Sequence, residues 1–170
     1  MTTPVLRGRA HVLGDSISTD LIAPGRLFHL RSNLPELAKH LLEDVEPGFV
    51  KKIAHGDFLV AGSNFGLGSS REHAPTIIKL AGVGAVLARS FARIFFRNAI
   101  NVGLPVLECD TSGIGEGDEL EVNLEAGTVL RVADGEVVRF PPLPAVMRHI
   151  LADGGLAEHI KKHGRFVLEE

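Results

Sequence analysis

The chain has 170 residues, 45% of them hydrophobic and 23% charged, with a formal net charge of −3 and a single cysteine. That balance belongs to an ordinary globular protein with a real core; it leaves no basic footprint for nucleic acid and no apolar run of bilayer length. Cys109 alone closes no intrachain disulfide, fits a cytoplasmic location, and excludes a thiolate-only zinc site or an iron–sulfur cluster held by this chain by itself. The opening "MTTPVLRGRAHVLGDS" lacks the charged-then-apolar pattern of a signal peptide.

In chain order, "LRGRAHVLG" (6–14) alternates as a strand does, "GDSISTD" (14–20) is turn-rich, and "LIAPGRLFHLRS" (21–32) is an irregular excursion. "PELAKHLL" (35–42) fits a short helix with proline in its first turn. "DFLVAG" (57–62) is a buried strand, and helical spacing resumes over 73–81, with Gly82 suited to end the helix. "AVLARS" (85–90) is a strand, "FARIFFRNAI" (91–100) a helix whose aromatics belong to the core, and "LPVLEC" (104–109) a strand. That order predicts parallel βαβ units. From about residue 113 the pattern has period two, with turns near Gly127 and at Asp134-Gly135, which predicts antiparallel ribbons; the tail gives one or two short helices. The expectation is one compact α/β domain over 1–170 with mixed sheets.

The stretch that invites chemistry is "GSNFGLGSSREHAP" (62–75), set between a strand and a helix. Gly66 and Gly68 permit positive φ and close backbone approach to a ligand. A helix start offers unpaired N–H groups to an anion. Arg71 adds a planar fork for a carboxylate. Ser69 and Ser70 sit where loop meets helix. A serine there can donate to an oxyanion, or act as a base if positive groups stabilise its alkoxide. A purely structural reading stands beside this one, because Ser69-x-x-Glu72 is also a capping box. A dinucleotide site fits poorly, since Arg71 takes the place of the third glycine. No Gly-Lys-Ser/Thr follows for a P-loop.

That loop resembles the signature of the swivel domain of the aconitase superfamily. The chain as a whole is similar to the small subunits of 3-isopropylmalate dehydratase and their homoaconitase relatives. "GDSISTDLIAPG" (14–25) and "SFARIFFRNAINVGLPVLEC" (90–109) carry the likeness further. The resemblance implies a swivelling β/β/α domain. It implies that Ser69 removes the proton from carbon, that Arg71 binds a substrate carboxylate with Ser70 and Gly68 beside it, and that Asp20 orients active-site groups. Without it, Asp20 reads as a helix cap or turn residue. The resemblance also implies that Arg31 lies in a loop touching the substrate's variable end. There an arginine suits a further carboxylate, as in homoaconitase types, and an apolar residue suits an isopropyl group. The alternative is an Arg31 that points to solvent.

The likeness further implies a [4Fe–4S] cluster on a separate large subunit, through three cysteines, an active site at the interface, and no metal on this chain. A homo-oligomer is possible for the isolated subunit. Expected partners are that subunit and a di- or tricarboxylate substrate, with neither nucleic acid nor membrane. The function so implied is a hydro-lyase that isomerises 2-hydroxy acids in leucine or lysine biosynthesis. The rival of another class is a non-catalytic anion-binding or regulatory module using the same loop. Arg93 and Arg97, four apart, can pair with acids of this chain or of a partner. His159-x-x-x-His163 can place two imidazoles on one helix face, but no third ligand is evident, so a solvated helix is expected. Cys109 reads as a small buried apolar residue.

Overall fold

The structure, a computed structural model, describes residues 5–69 and 72–164. Strand β1 (Leu6–Val12) leads through a tight turn into α1 (Thr19–Ile22). A 3-10 segment (Gly25–Ser32) with a kink at Leu27 and no buried residue follows, then α2 (Leu34–Ala38) with proline at its start. A second 3-10 turn (Phe49–Lys52) precedes β2 (Phe58–Val60). The chain continues as α3 (His73–Leu80), β3 (Ala85–Ala88), α4 (Arg93–Val102) and β4 (Val106–Glu108). Strands β5 (Glu119–Asn123), β6 (Thr128–Arg131) and β7 (Val137–Arg139) come next, and helices α5 (Ala145–Ala152) and α6 (Leu156–His163) close the described part.

All seven strands form one sheet, in the order β4-β3-β2-β1-β5-β6-β7. Strand β1 serves both kinds of pairing. Its residues 10–12 run parallel to β2, while residues 6–9 run antiparallel to β5. From β1 to β4 the pairing is parallel, and from β5 to β7 it is antiparallel. The mixed sheet expected from the sequence is therefore the one observed.

The parallel strands lie at the centre of the core. Phe58, Leu59, Val86 and Leu87 are fully out of solvent, and Ile77 and Ile78 of α3 pack with them. Each such side chain contributes about 1.5–3 kcal/mol by leaving water. Helix α3 packs against α4, and α4 in turn meets α5 and α6. The helix expected over 35–42 stops at Ala38, and Leu42 takes a positive φ of 55°. The helix expected from Phe91 starts at Arg93, because Phe91 is held in a parallel bridge to Phe65. Gly82 follows the cap of α3 with φ 98°, as its position predicts. Among the described residues, no helix is long and apolar enough to cross a membrane.

Candidate active site

Parallel pairing delivers three loops to one end of the sheet: residues 13–18 after β1, residues 61–69 after β2 and residues 89–92 after β3. Their backbones are stitched together. Gly62 N donates to Gly14 O (3.1 Å), Ser63 N to Asp15 Oδ1 (2.7 Å) and Gly66 N to Ile17 O (2.7 Å). On the other side Asn64 N donates to Ser90 Oγ (2.7 Å) and Phe65 N to Ser90 O (3.0 Å). Five consecutive amides are thus spent on bracing the glycine loop between its neighbours. The amides of Leu67 and Gly68 make no hydrogen bond among the described residues, so they remain available to an anion.

Thr19 holds the far end of the loop. It is buried; its N–H donates to Leu67 O (2.9 Å) and its hydroxyl to Ser69 O (3.1 Å). Gly66 and Gly68 have φ of 83° and 106°, the freedom foreseen for them. At Gly66 the loop also approaches the core closely. A Cβ there would fall 2.2 Å from Phe95 Cγ. Phe95 is itself fixed by edge contact with Phe65, their centroids 5.2 Å apart. Ser16 and Asn64, in the first two loops, take positive φ of 56° and 59° without being glycine, a conformation that persists only where surroundings impose it.

Ser69 is exposed and lines a cavity of about 340 Å³ together with Thr19, Gly68, Arg93, Phe95 and Asn98. That volume suits a small organic acid. The capping-box explanation of Ser69 does not hold. Helix α3 starts at His73, its cap position is Glu72, and among the described residues no side chain caps it. Ser70 and Arg71 lie outside the described residues.

Asp20 is the second residue of α1, and the capping role expected for it belongs to Ser18, whose Oγ accepts from Leu21 N (3.2 Å). The Asp20 carboxylate leans across the turn at Gly25, its Oδ1 3.7 Å from where a Cβ on that glycine would sit. Arg31 is exposed in the 3-10 segment and does not line the Ser69 cavity. It is held rather than loose. Its guanidinium stacks 4.2 Å above the Phe28 ring centroid, and Nη1 donates to Phe28 O (3.2 Å). Phe28 in turn tilts against His73, the first residue of α3 (6.4 Å between centroids). Thr19, Ser90, Arg93 and Asn98 were not picked out as cavity or bracing residues from sequence. Thr19 lies in the "STD" motif and Arg93 in "FARIFF", so only the fold, which brings Thr19 and Ser90 against the glycine loop and puts Arg93 and Asn98 in the cavity wall, distinguishes them.

Two groups outside this site bear on metals and cofactors. His159 is fully buried, not on a solvated face. Its Nδ1 meets Asp153 Oδ2 at 2.7 Å, and His163 Nε2 meets the same oxygen at 3.0 Å. Asp153 is thus the third group that the spacing alone did not reveal. Its other oxygen accepts from Lys162 Nζ (3.1 Å), so the carboxylate already serves three donors and ties α5 to α6. Burial pushes this carboxyl up, but the bonds from His159, Lys162 and His163 outweigh it and hold it below its ordinary value. Cys109 is free and buried, its thiol pushed up to about 11 by burial and by neighbouring Asp110. One buried neutral thiol is no ligand set for an iron–sulfur cluster.

Comparison with known proteins agrees with this arrangement. A family profile described as the aconitase C-terminal domain matches residues 17–112. A protein of Archaeoglobus fulgidus named 3-isopropylmalate dehydratase small subunit 2 is 62% identical over 157 residues, 92% of this chain and 95% of that one. The Thermotoga maritima 3-isopropylmalate dehydratase small subunit 1 is 57% identical over 163 residues, 95% and 98% of the two chains. The crystal structure of 3-isopropylmalate dehydratase (leuD) from Methanocaldococcus jannaschii superposes with a TM-score of 0.89 at 42% identity, covering 95% of this chain and 96% of that one. The chain belongs to the aconitase C-terminal domain family, in the branch that holds the 3-isopropylmalate dehydratase small subunits.

Proposed function

We propose that this chain is the small subunit of a heteromeric hydro-lyase of the 3-isopropylmalate dehydratase type, and that Ser69 is its base. The observation that carries the reading is an exposed serine on a braced glycine loop, at the wall of a cavity that Arg93 also lines. Dehydration of a 2-hydroxy acid removes a proton from one carbon and hydroxide from its neighbour. Rehydration of the resulting alkene in the opposite sense gives the 3-hydroxy isomer. An alkoxide at Ser69 takes the proton, and the amides of Leu67 and Gly68 help to steady its charge. Arg71, with Ser70 and Gly68 beside it, holds the carboxylate whose neighbouring carbon is deprotonated.

Departure of the hydroxide is assigned to the partner. The family's iron–sulfur cluster finds no donor set in this chain, so the large subunit is where we place it. The catalytic centre then lies between the two subunits, and this chain alone is inactive.

The test is Ser69→Ala in the reconstituted heteromer. Turnover should fall by about 10²–10⁴-fold, the usual worth of a positioned base, while assembly and folding are unchanged. Retained turnover removes Ser69 from that role.

Arg31 favours a second reading of the substrate. A guanidinium held on Phe28 gains a charge-assisted pair from a further carboxylate and nothing from an isopropyl group. The named relatives favour isopropylmalate; Arg31 favours a homoaconitate-type acid, or both. The wild-type heteromer offered each substrate in turn distinguishes the three cases.

A further inference from the structure

Helix α4 breaks several local rules on one face. It opens on Arg93, at the positive end of the helix dipole, and carries Arg97 one turn later, where the two cations repel each other. Its cap residue, Ala92, makes no side-chain bond, and no acid occupies the first turn. Among the described residues neither arginine makes a hydrogen bond or ion pair. Between them Ile94 is 51% exposed. In a chain of net charge −3, such an uncompensated arrangement is a mark of function rather than of stability.

The same helix borders an apolar groove. A cavity of about 560 Å³ lies between α4 and α5, lined by both arginines and by Phe96, Ile100, Met147 and Ile150. Glu108 lines it too, but its carboxylate accepts from Phe91 N (3.4 Å) and pairs with neither arginine. Arg93 also lines the Ser69 cavity. The groove and the catalytic cavity therefore adjoin.

We propose that the Arg93–Arg97 face of α4, with the α4–α5 groove, is the surface on which the large subunit docks. That subunit presents carboxylates to the two arginines and an apolar side chain to the groove. The proposal rests on the small-subunit reading above. A cavity whose chemistry is completed by another chain must be covered by it, and Arg93 carries that cover onto α4. Arginine forks hold carboxylates with defined geometry, and arginine is among the residues enriched in interface hot spots.

The experiment titrates wild type, Arg97→Glu and Arg93→Glu/Arg97→Glu against the purified, cluster-loaded large subunit of the same enzyme, at low and high salt. Lys51→Glu makes the same charge change on an exposed residue of the 3-10 turn and serves as control. Arg97→Glu should weaken binding about tenfold or more, the double variant further, and Lys51→Glu not at all. Wild-type affinity should fall with salt, and the double variant's should fall less. If a charge reversal fails to fold, Arg97→Gln keeps the helix former and should still bind several-fold more weakly. Variants that bind like wild type overturn the docking face and leave the small-subunit reading standing. A wild type that does not bind the large subunit overturns both.

Discussion

Every residue of β2 and β3 is buried, whereas β5 alternates and β7 is mostly exposed. The difference follows from connectivity. Parallel strands need crossovers, and the helices of those crossovers take the chain back to the starting edge. Each strand then ends at the same edge of the sheet, and the loops after β1, β2 and β3 are stacked there without further design. The hairpins of β5, β6 and β7 put their turns at alternate ends and bring no candidate site residue together. Strand β1, parallel over 10–12 and antiparallel over 6–9, joins the two regimes. The candidate site is a consequence of the parallel half, and the ribbon is its structural counterpart.

The most damaging way to probe that contrast is to add one methyl group to the braced loop. Gly66→Ala imposes a side chain at φ 83° and drives its Cβ to 2.2 Å from Phe95 Cγ. The backbone cost is about 1–2 kcal/mol, and overpacking adds about 1–3 kcal/mol. Chemical denaturation should register a loss of about 2–5 kcal/mol from these two sources, and heteromer turnover should fall with it because Ser69 shifts. Combining it with Phe95→Leu should recover part of the loss, since the two positions are in contact. An unchanged unfolding midpoint would mean that the loop is not braced as described.

How much of this was legible beforehand depended on where the information lay. Alternation and turn glycines sufficed for the ribbon, where Gly127 and Gly135 take φ of 72° and 74° at the expected turns. Apolar runs between helical segments sufficed for the parallel strands. The loop "GSNFGLGSS" announced itself by composition. What composition did not carry was which residue braces which. Thr19 and Ser69 are 50 positions apart, and Asn64 and Ser90 are 26 apart. The sheet register that makes them neighbours is a property of the whole fold. The capping box at Ser69 is not seen, because helix α3 starts at His73 with Glu72 in its cap position. His159 read as solvated because its partner, Asp153, lies on the preceding turn and not in its own helix.

The opposite end of β2 predicts a pH effect without a catalytic one. Asp57, just before the strand, accepts from Arg9 N (3.0 Å), Ala54 N (2.9 Å) and His11 Nε2 (2.8 Å). Burial pushes this carboxyl up, but the bonds from His11 and the two amides outweigh it and hold it below its ordinary value. A depressed pKa stabilises the fold above the unfolded-state value of about 3.9, and the contribution is lost as pH falls through the lower folded value. The denaturation midpoint should therefore decline below about pH 4. Asp57→Asn should lower stability by about 1–3 kcal/mol at neutral pH, since it disturbs a buried acceptor, and should flatten that decline. Turnover at neutral pH should stay near wild type, because the change lies away from the loops. A wild-type-like acid profile in the variant would assign the decline to other carboxylates.

The smallest effect is expected in the ribbon. Gly135, in the β6–β7 turn, has φ 74°, close to that of Gly66, but a Cβ there would meet nothing within 4 Å. Its amide donates to Arg131 O (2.9 Å), a bond that alanine keeps. Gly135→Ala thus carries only the left-handed backbone cost, partly offset by the reduced freedom of the unfolded chain, for a net loss of about 0.5–1 kcal/mol. In thermal melting that is a shift of about 1–4 °C for a chain of this size, with heteromer turnover unchanged. Because the two glycines share a conformation and differ in surroundings, the gap between the variants measures what Phe95 adds at Gly66. Equal losses at both positions would mean that backbone conformation alone sets the cost and that the aromatic support under the loop contributes nothing.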